Sequence, residues 1–391
     1  MNRFENLQEL EIDTESACSD SAPEDGGVEP EEVEGDEPIT QPFDPTKTQI
    51  ITSWPTVSLL VTRIQEGEID LFPSFQRKAD LWSPAQKSRL IESLLLRMPL
   101  PSFYFDATDD ENWVVVDGLQ RLWTLQEFLL SDMRLHHLEF LINYENSMFK
   151  DLPRHLQRRI GETQVVAHLI QPGTPPQVKF NIFRRINTGG LVLSAQEIRH
   201  ALNQGNAPQF LKKLACSKAF LEATQGSVRP DRMEDQEFVL RFMAFTIVPY
   251  PQYKVADLDG FLHEQMARLN TVGNDELEDL EVRFQRAMRA SRLIFGRQAF
   301  RKSLRDGVSA WRNPINKAIF EVWSVTLGQL TEDKLEHLIH RKDDVISRFI
   351  EVLNTNDEFV AAVSQGTGDV KKVKQRFKTV AKLVEDILNA N

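Results

Sequence analysis

Cysteine is nearly missing: Cys18 and Cys216 are the only two in 391 residues, too few for a disulfide framework or a cysteine-based zinc site. Such usage fits a reducing, cytosolic setting. No apolar run approaches the roughly 18 residues of a membrane span. The opening Met1-Asn2-Arg3-Phe4-Glu5 leads into acids rather than into the basic and apolar segments of a signal peptide, so a soluble, unprocessed, cytoplasmic protein is expected. Eight histidines supply no HExxH and no His-x-x-Pro, and His337 with His340 share a helix face but lack an acid-rich partner for zinc. There is no GxxxxGK[ST] loop, no GxGxxG after a strand and no GxSxG elbow, which disfavours P-loop, Rossmann and serine-hydrolase chemistry.

The net charge of −12 argues against a nucleic-acid partner only until it is divided along the chain. Residues 1–46 hold 15 acids and one arginine, a balance of −14, and the remainder holds 45 basic and 43 acidic residues, a balance of +2. The stretch 1–46 has few large apolar residues and no sustained periodicity, so it reads as a disordered acidic tail that serves solubility or competes with a polyanion for a basic groove.

After the tail, Ser53-Trp54-Pro55 opens a helix with Val57, Leu60, Val61 and Ile64 on one face, ended by Gly67. Ser83-Pro84-Ala85-Gln86 is a capping box before a second helix carrying Leu90, Ile91, Leu94 and Leu95. The segments 102–105 and 113–116 read as a hairpin around an acidic turn, and Leu138–Ile142 and Gln164–Ile170 as two more strands flanking a helix. Pro175-Pro176 opens a helix that stops at Asn187-Thr188-Gly189-Gly190, and Ser194-Ala195-Gln196-Glu197 caps the next. From Met233 onward long amphipathic helices are predicted at 233–247, 257–270, 275–298, 313–326, 331–353 and 370–389. The fold class is therefore α+β, a small mixed β-sheet with packed helices followed by an all-helical domain. The boundary is placed near Gly226-Ser227-Val228, giving a tail 1–46, a first domain 47–228 and a helical domain 229–391.

Asp117-Gly118-Leu119-Gln120-Arg121 puts a carboxylate, an amide and a guanidinium at one strand-to-helix junction, where helix N–H groups favour a phosphate. Asp-Gly is also a common turn dipeptide, so its company matters. Gln76-Arg77, Arg184-Arg185-Ile186-Asn187 with Gly189-Gly190, and Glu197 with Arg199 also sit at element ends. Together they contain what a nucleotide site needs: cations for phosphates, glycines for close backbone approach and an acid for a metal or water.

These segments, Phe75-Gln76-Arg77, Val116 to Leu125, Phe183 to Gly190 and Leu193 to Arg199, resemble the DGQQR-motif family, the amino-terminal domain of GmrSD-type, modification-dependent (Type IV) restriction enzymes, related in fold to the ParB/sulfiredoxin group. The resemblance covers about residues 50–250. It implies a bacterial anti-phage defence protein whose first domain binds and hydrolyses a nucleoside triphosphate, GTP or ATP, with Mg²⁺, and couples it to DNA recognition. By that resemblance Arg121, Arg77 and Arg185 hold phosphates, Asp117 positions the metal or attacking water, and Gln120 orients that water. Gly118, Gly189 and Gly190 allow close approach, with Gln76 and Asn187 as neighbours. The family's first motif Gln is Leu119 here, which weakens turnover. The missing His-x-x-Pro and HNH patterns speak against cleavage by this chain alone. The alternative is a non-catalytic DNA- or protein-binding module whose nuclease is a separate chain. A ParB-like nuclease acting through the first domain is a third reading.

Overall fold

In the computed structural model of the protein, the residues described are 27–31, 48–71, 82–186, 194–308 and 311–390. They form two compact units, one spanning residues 40–204 and the other combining residues 1–39 with 205–391. The expected boundary at 228/229 lies later than this division. The helices over 206–215 and 218–224, which precede Gly226-Ser227-Val228, already pack into the helical unit.

The first unit is a mixed sheet with helices. Its elements are β1 (Ile50–Ser53), α1 (Val57–Gln65), β2 (Ile69–Asp70), α2 (Pro84–Leu95), β3 (Phe103–Asp106), β4 (Trp113–Asp117), α3 (Leu119–Leu130), α4 (Arg154–Glu162), β5 (Ala167–Ile170), α5 (Pro176–Ile186) and α6 (Ala195–Leu202). The strand order is β1-β5-β3-β4-β2. β1 runs antiparallel to β5, β5 parallel to β3, β3 antiparallel to β4, and β4 parallel to β2. The expected hairpin is β3–β4.

Local chemistry explains the helices. Val57, Leu60, Val61 and Ile64 are all buried on α1, at the spacing of one helical face, and Thr56 rather than Ser53 caps it. Ser83 and Gln86 close their capping box on α2, as do Ser194 and Glu197 on α6. Phe103, Phe105 and Val115 from the hairpin meet Leu122, Leu125 and Phe128 of α3 in the core.

Residues 138–142, expected as a strand, pair with no strand among the described residues. The reason is the buried carboxylate of Glu92 on α2, which accepts from the backbone N–H groups of Glu139, Phe140 and Leu141 at 3.1, 2.7 and 2.8 Å. Glu145 takes those of His137 and Leu138. Side-chain acceptors replace the sheet ladder, and the apolar run becomes a loop.

The second unit contains α7 (Asn206–Ala215), α8 (Lys218–Thr224), α9 (Glu234–Ile247), α10 (Leu258–Leu269), α11 (Asn274–Phe295), α12 (Lys317–Gly328), α13 (Glu332–His340), α14 (Lys342–Thr355), α15 (Asp357–Ser364) and α16 (Val370–Asn389). The segment 331–353 is two helices that meet at Arg341. α9 and α12 are buried almost throughout and form the centre on which α7, α10, α11 and α16 pack. Within the acidic stretch 1–46, Gly27–Glu31 also belongs to this unit: Val28 bridges Ile315 in parallel register and packs on the helical core. Among the described residues no helix is long and apolar enough to cross a membrane.

Candidate functional site: the β4–α3 junction

β4 ends on Asp117. Its register with β3 shifts between Tyr104 and Phe105, so Tyr104 faces Asp117 while Phe105 faces Val115. One residue of β4 is left over, and such a bulge turns a strand and re-aims the side chain beyond it. Gly118 follows with φ of 104°. A Cβ there would lie 2.5 Å from Cδ1 of Phe103 and 3.3 Å from Nη2 of Arg121, so both conformation and space require glycine. α3 begins at once, and its N-terminus has no side-chain cap; first-turn N–H groups of a helix are donors of the kind that meet an anion.

Arg121, in that first turn, is buried. Its Nη2 donates to Oδ2 of Asp117 at 2.8 Å and to the Ser102 carbonyl at 3.2 Å, and its Nη1 donates to the carbonyls of Ser102 and Pro101. The guanidinium lies over the Phe103 ring, 4.6 Å from its centroid. Burial lowers its pKa below the ordinary arginine value, with the Asp117 carboxylate opposing. Its donors meet protein atoms, whereas the resemblance implies a phosphate. In this geometry Arg121 ties the entry to β3, the Phe103 ring and the acid at the end of β4 into one piece.

Asp117 keeps 27% of its side chain exposed, and its Oδ1 has no protein partner among the described residues. Gln120, half-buried, sits one residue ahead of Arg121, and its carbonyl accepts from Thr124 Oγ1 at 2.7 Å. Leu119 packs against the core of the sheet unit, where an amide would be poorly solvated. Among the described residues no group of three or more His, Cys, Asp or Glu gathers to hold a metal. Magnesium keeps several waters and needs few protein carboxylates, so Asp117 suits it as a single protein ligand beside the oxygens of a bound nucleotide.

Asp117, Gly118, Gln120 and Arg121 therefore share one junction. Arg185 is exposed in the last turn of α5, a helix that packs against β4. Gln76 and Arg77, and Asn187, Gly189 and Gly190, lie outside the described residues. The chain toward Gln76 leaves from β2, which runs parallel to β4, so both strands end at the same edge of the sheet. Ligands of α/β proteins gather outside such carboxyl ends. Glu197 accepts from the Ser194 N–H at 2.6 Å, and Arg199 is fully buried with Nη1 on Gln196 Oε1 at 2.9 Å.

Two polar clusters were not anticipated. Lys179 of α5 donates to both oxygens of the buried Asp106 at 3.1 and 3.0 Å, and to Thr108. Its signal was a lysine between Val178 and Phe180, both buried. The second cluster is a concavity of about 390 Å³ lined by Arg97, His155, Arg158, Arg159, Glu162 and Thr163. Arg97 adopts φ of 62°, uncommon for a non-glycine residue, and Arg159 donates to the Leu95 carbonyl at the end of α2 at 2.8 Å.

The chain matched no curated protein and no solved structure. One family matches, described as GmrSD restriction endonuclease, N-terminal domain, over residues 57–203. The match starts at α1 and stops just past α6, beside the division between the units, so it is shorter than the resemblance over 50–250. It contains the β4–α3 junction and the sheet except for β1. Over residues 57–203, then, the chain is similar to the GmrSD restriction endonuclease N-terminal domain.

Proposed function

We propose that this domain binds a purine nucleoside triphosphate, GTP or ATP, with Mg²⁺ at the β4–α3 junction, and couples nucleotide state to recognition and restriction of DNA in bacterial defence. The observation that supports this most is the junction itself: an uncapped helix N-terminus, reached through a left-handed Gly118, beside the free oxygen of an Asp117 that Arg121 holds in place. First-turn N–H groups take phosphate oxygens. Gln120 orients a water, and Asp117 holds the metal or that water. When bound, Mg²⁺ neutralises phosphate charge. Arg121 acts by positioning Asp117, and Arg77 and Arg185 remain the cations for phosphates, with Gln76, Asn187, Gly189 and Gly190 beside them. Hydrolysis is slow because Leu119 offers no amide.

The test is thermal stability with each of GTP, ATP, CTP and UTP plus Mg²⁺. A ligand at 100 times its dissociation constant adds about 2.7 kcal/mol. One nucleotide should raise the midpoint of the wild type and not of Asp117→Ala. No shift with any of the four would sink the reading.

A second reading is favoured by the basic concavity on α4: the chain is a non-catalytic DNA-binding module whose nuclease is a separate protein. Arg97, His155 and Arg158 are exposed and Arg159 half-buried there, a set suited to phosphodiester oxygens. Arg97→Ala with Arg158→Ala should weaken duplex binding uniformly across sequences and reduce the log–log salt slope by about 1–2. Unchanged binding and slope would remove it.

A further inference from the structure

The segment Gly27–Glu31 lies within the most acidic part of the chain, yet it is seated in the helical unit by a specific set of contacts. Its backbone adds a short strand edge: Glu29 N–H donates to the Ile315 carbonyl at 2.8 Å, and Ile315 N–H donates to the Gly27 carbonyl at 2.9 Å. Val28 packs on the helical core. Pro30 restricts Glu29 before it to extended conformations, so the two glutamates are presented at fixed spacing.

Each carboxylate has its own receptor. Glu29 is met by Lys302 Nζ at 2.6 Å and by Asn316 Nδ2 at 3.1 Å. Glu31 is gripped by the fork of Arg241, Nη1 to Oε1 at 3.1 Å and Nη2 to Oε2 at 2.5 Å, with Thr367 Oγ1 at 2.6 Å from Oε1. Two parallel N–H···O bonds from one guanidinium read the geometry of a carboxylate as well as its charge. Burial works to raise the Glu31 pKa, but Arg241, Lys317 and the Thr367 hydroxyl together hold the carboxyl below the ordinary value.

The receptor is also built to lose this segment without stranding a charge. Arg241 has a side chain only 3% exposed, and it keeps Glu237 at 2.9 Å and Glu321 at 3.5 Å. Lys302 keeps Ser364 Oγ at 2.9 Å, and Asn316 keeps the Val363 carbonyl at 2.8 Å. A buried cation abandoned by its only partner would make release prohibitive. Here the partners that remain are part of the helical bundle.

We propose that the helical unit carries a binding site for an acidic extended peptide of the Val-Glu-Pro-Glu kind, and that Gly27–Glu31 is its displaceable intramolecular ligand. The backbone bridge at Ile315 sets register, the small apolar contact at Val28 anchors, and Lys302 and Arg241 select carboxylates two residues apart. This is strand addition combined with acidic-motif recognition. Tethering gives the resident segment a high effective concentration, so a partner with the same motif enters only when it is abundant or binds more tightly.

The experiment uses the full chain with a specific protease site placed between residues 33 and 39, cleaved after folding. The freed amino-terminal fragment should co-elute with the body, and excess synthetic peptide of residues 24–34 should release it. The Glu31→Gln peptide should compete at least tenfold more weakly, and Arg241→Lys in the body should loosen retention of the fragment. Separation of the fragment at once on cleavage would overturn the proposal. So would a fragment that no excess of peptide exchanges, which would make the segment a fixed part of the fold. Displacement as effective by a DNA duplex or inorganic phosphate as by the peptide would reduce the site to charge attraction and overturn it too.

Discussion

Arg121 shows how a side chain typical of anion sites can act on a site without touching its ligand. Four donor contacts to Asp117, Ser102 and Pro101 fix the one carboxylate that has a free oxygen at the junction. Arg121→Ala should take the Arg121 donors from the Pro101 and Ser102 carbonyls and open a cavity over Phe103, and should cost about 2–4 kcal/mol in a denaturant titration. If Arg121→Ala unfolds like the wild type, the positioning role is wrong. Gly118 has a different constraint, since alanine there meets both a left-handed φ and the Phe103 ring. Gly118→Ala should destabilise by roughly 1–3 kcal/mol and abolish any nucleotide-induced shift in midpoint. A variant as stable and as responsive as the wild type would contradict that account. Leu119 packs on the core, so Leu119→Gln tests whether the departure from the family motif limits turnover.

At the scale of elements, the loop after α3 is organised by an acid on α2. Burial works to raise the Glu92 pKa, but the N–H groups of Leu141, Phe140 and Glu139 outweigh it and hold the carboxyl below the ordinary 4.5. A depressed pKa stabilises the fold above the unfolded value, and that stabilisation disappears as pH falls through the folded value. Protection of the Glu139, Phe140 and Leu141 amides, taken relative to the intrinsic exchange rate at each pH, should therefore hold at neutral pH and fall selectively once the solution is acidic enough to protonate Glu92. Glu92→Ala should cost roughly 1–3 kcal/mol at pH 7, because three part-buried backbone N–H groups lose a charged acceptor. Protection factors at these amides that are unchanged from pH 7 to pH 3 would show that Glu92 does not hold the loop.

At the scale of the molecule, the helical unit has an ionic centre that its composition does not announce. Arg376 and Glu321 are both fully buried and paired, with Arg376 also donating to the Thr367 carbonyl at 2.6 Å. Burial raises the Glu321 pKa, with Arg376 and Arg241 opposing. Removing one member of such a pair strands the other, so Glu321→Ala should cost roughly 3–5 kcal/mol in chemical denaturation. A loss below about 1 kcal/mol would mean that water or neighbouring groups rescue Arg376. The periodicity of apolar residues was enough to reveal α1, α2, the β3–β4 hairpin and the long helices of the second unit. Capping chemistry at Ser83 and Ser194 was enough to locate two helix starts, since all of these are local properties of the chain. The motif Asp117 to Arg121 was legible for the same reason, being contiguous. Tertiary structure alone decided that residues 138–142 are a loop, because their hydrogen-bond acceptor lies 47–49 residues earlier. It also decided that Arg121 faces inward, that Lys179 and Asp106 meet, and that Glu31 finds Arg241 from 210 positions away. Such partners are chosen by packing in space, and no local pattern of residues encodes them.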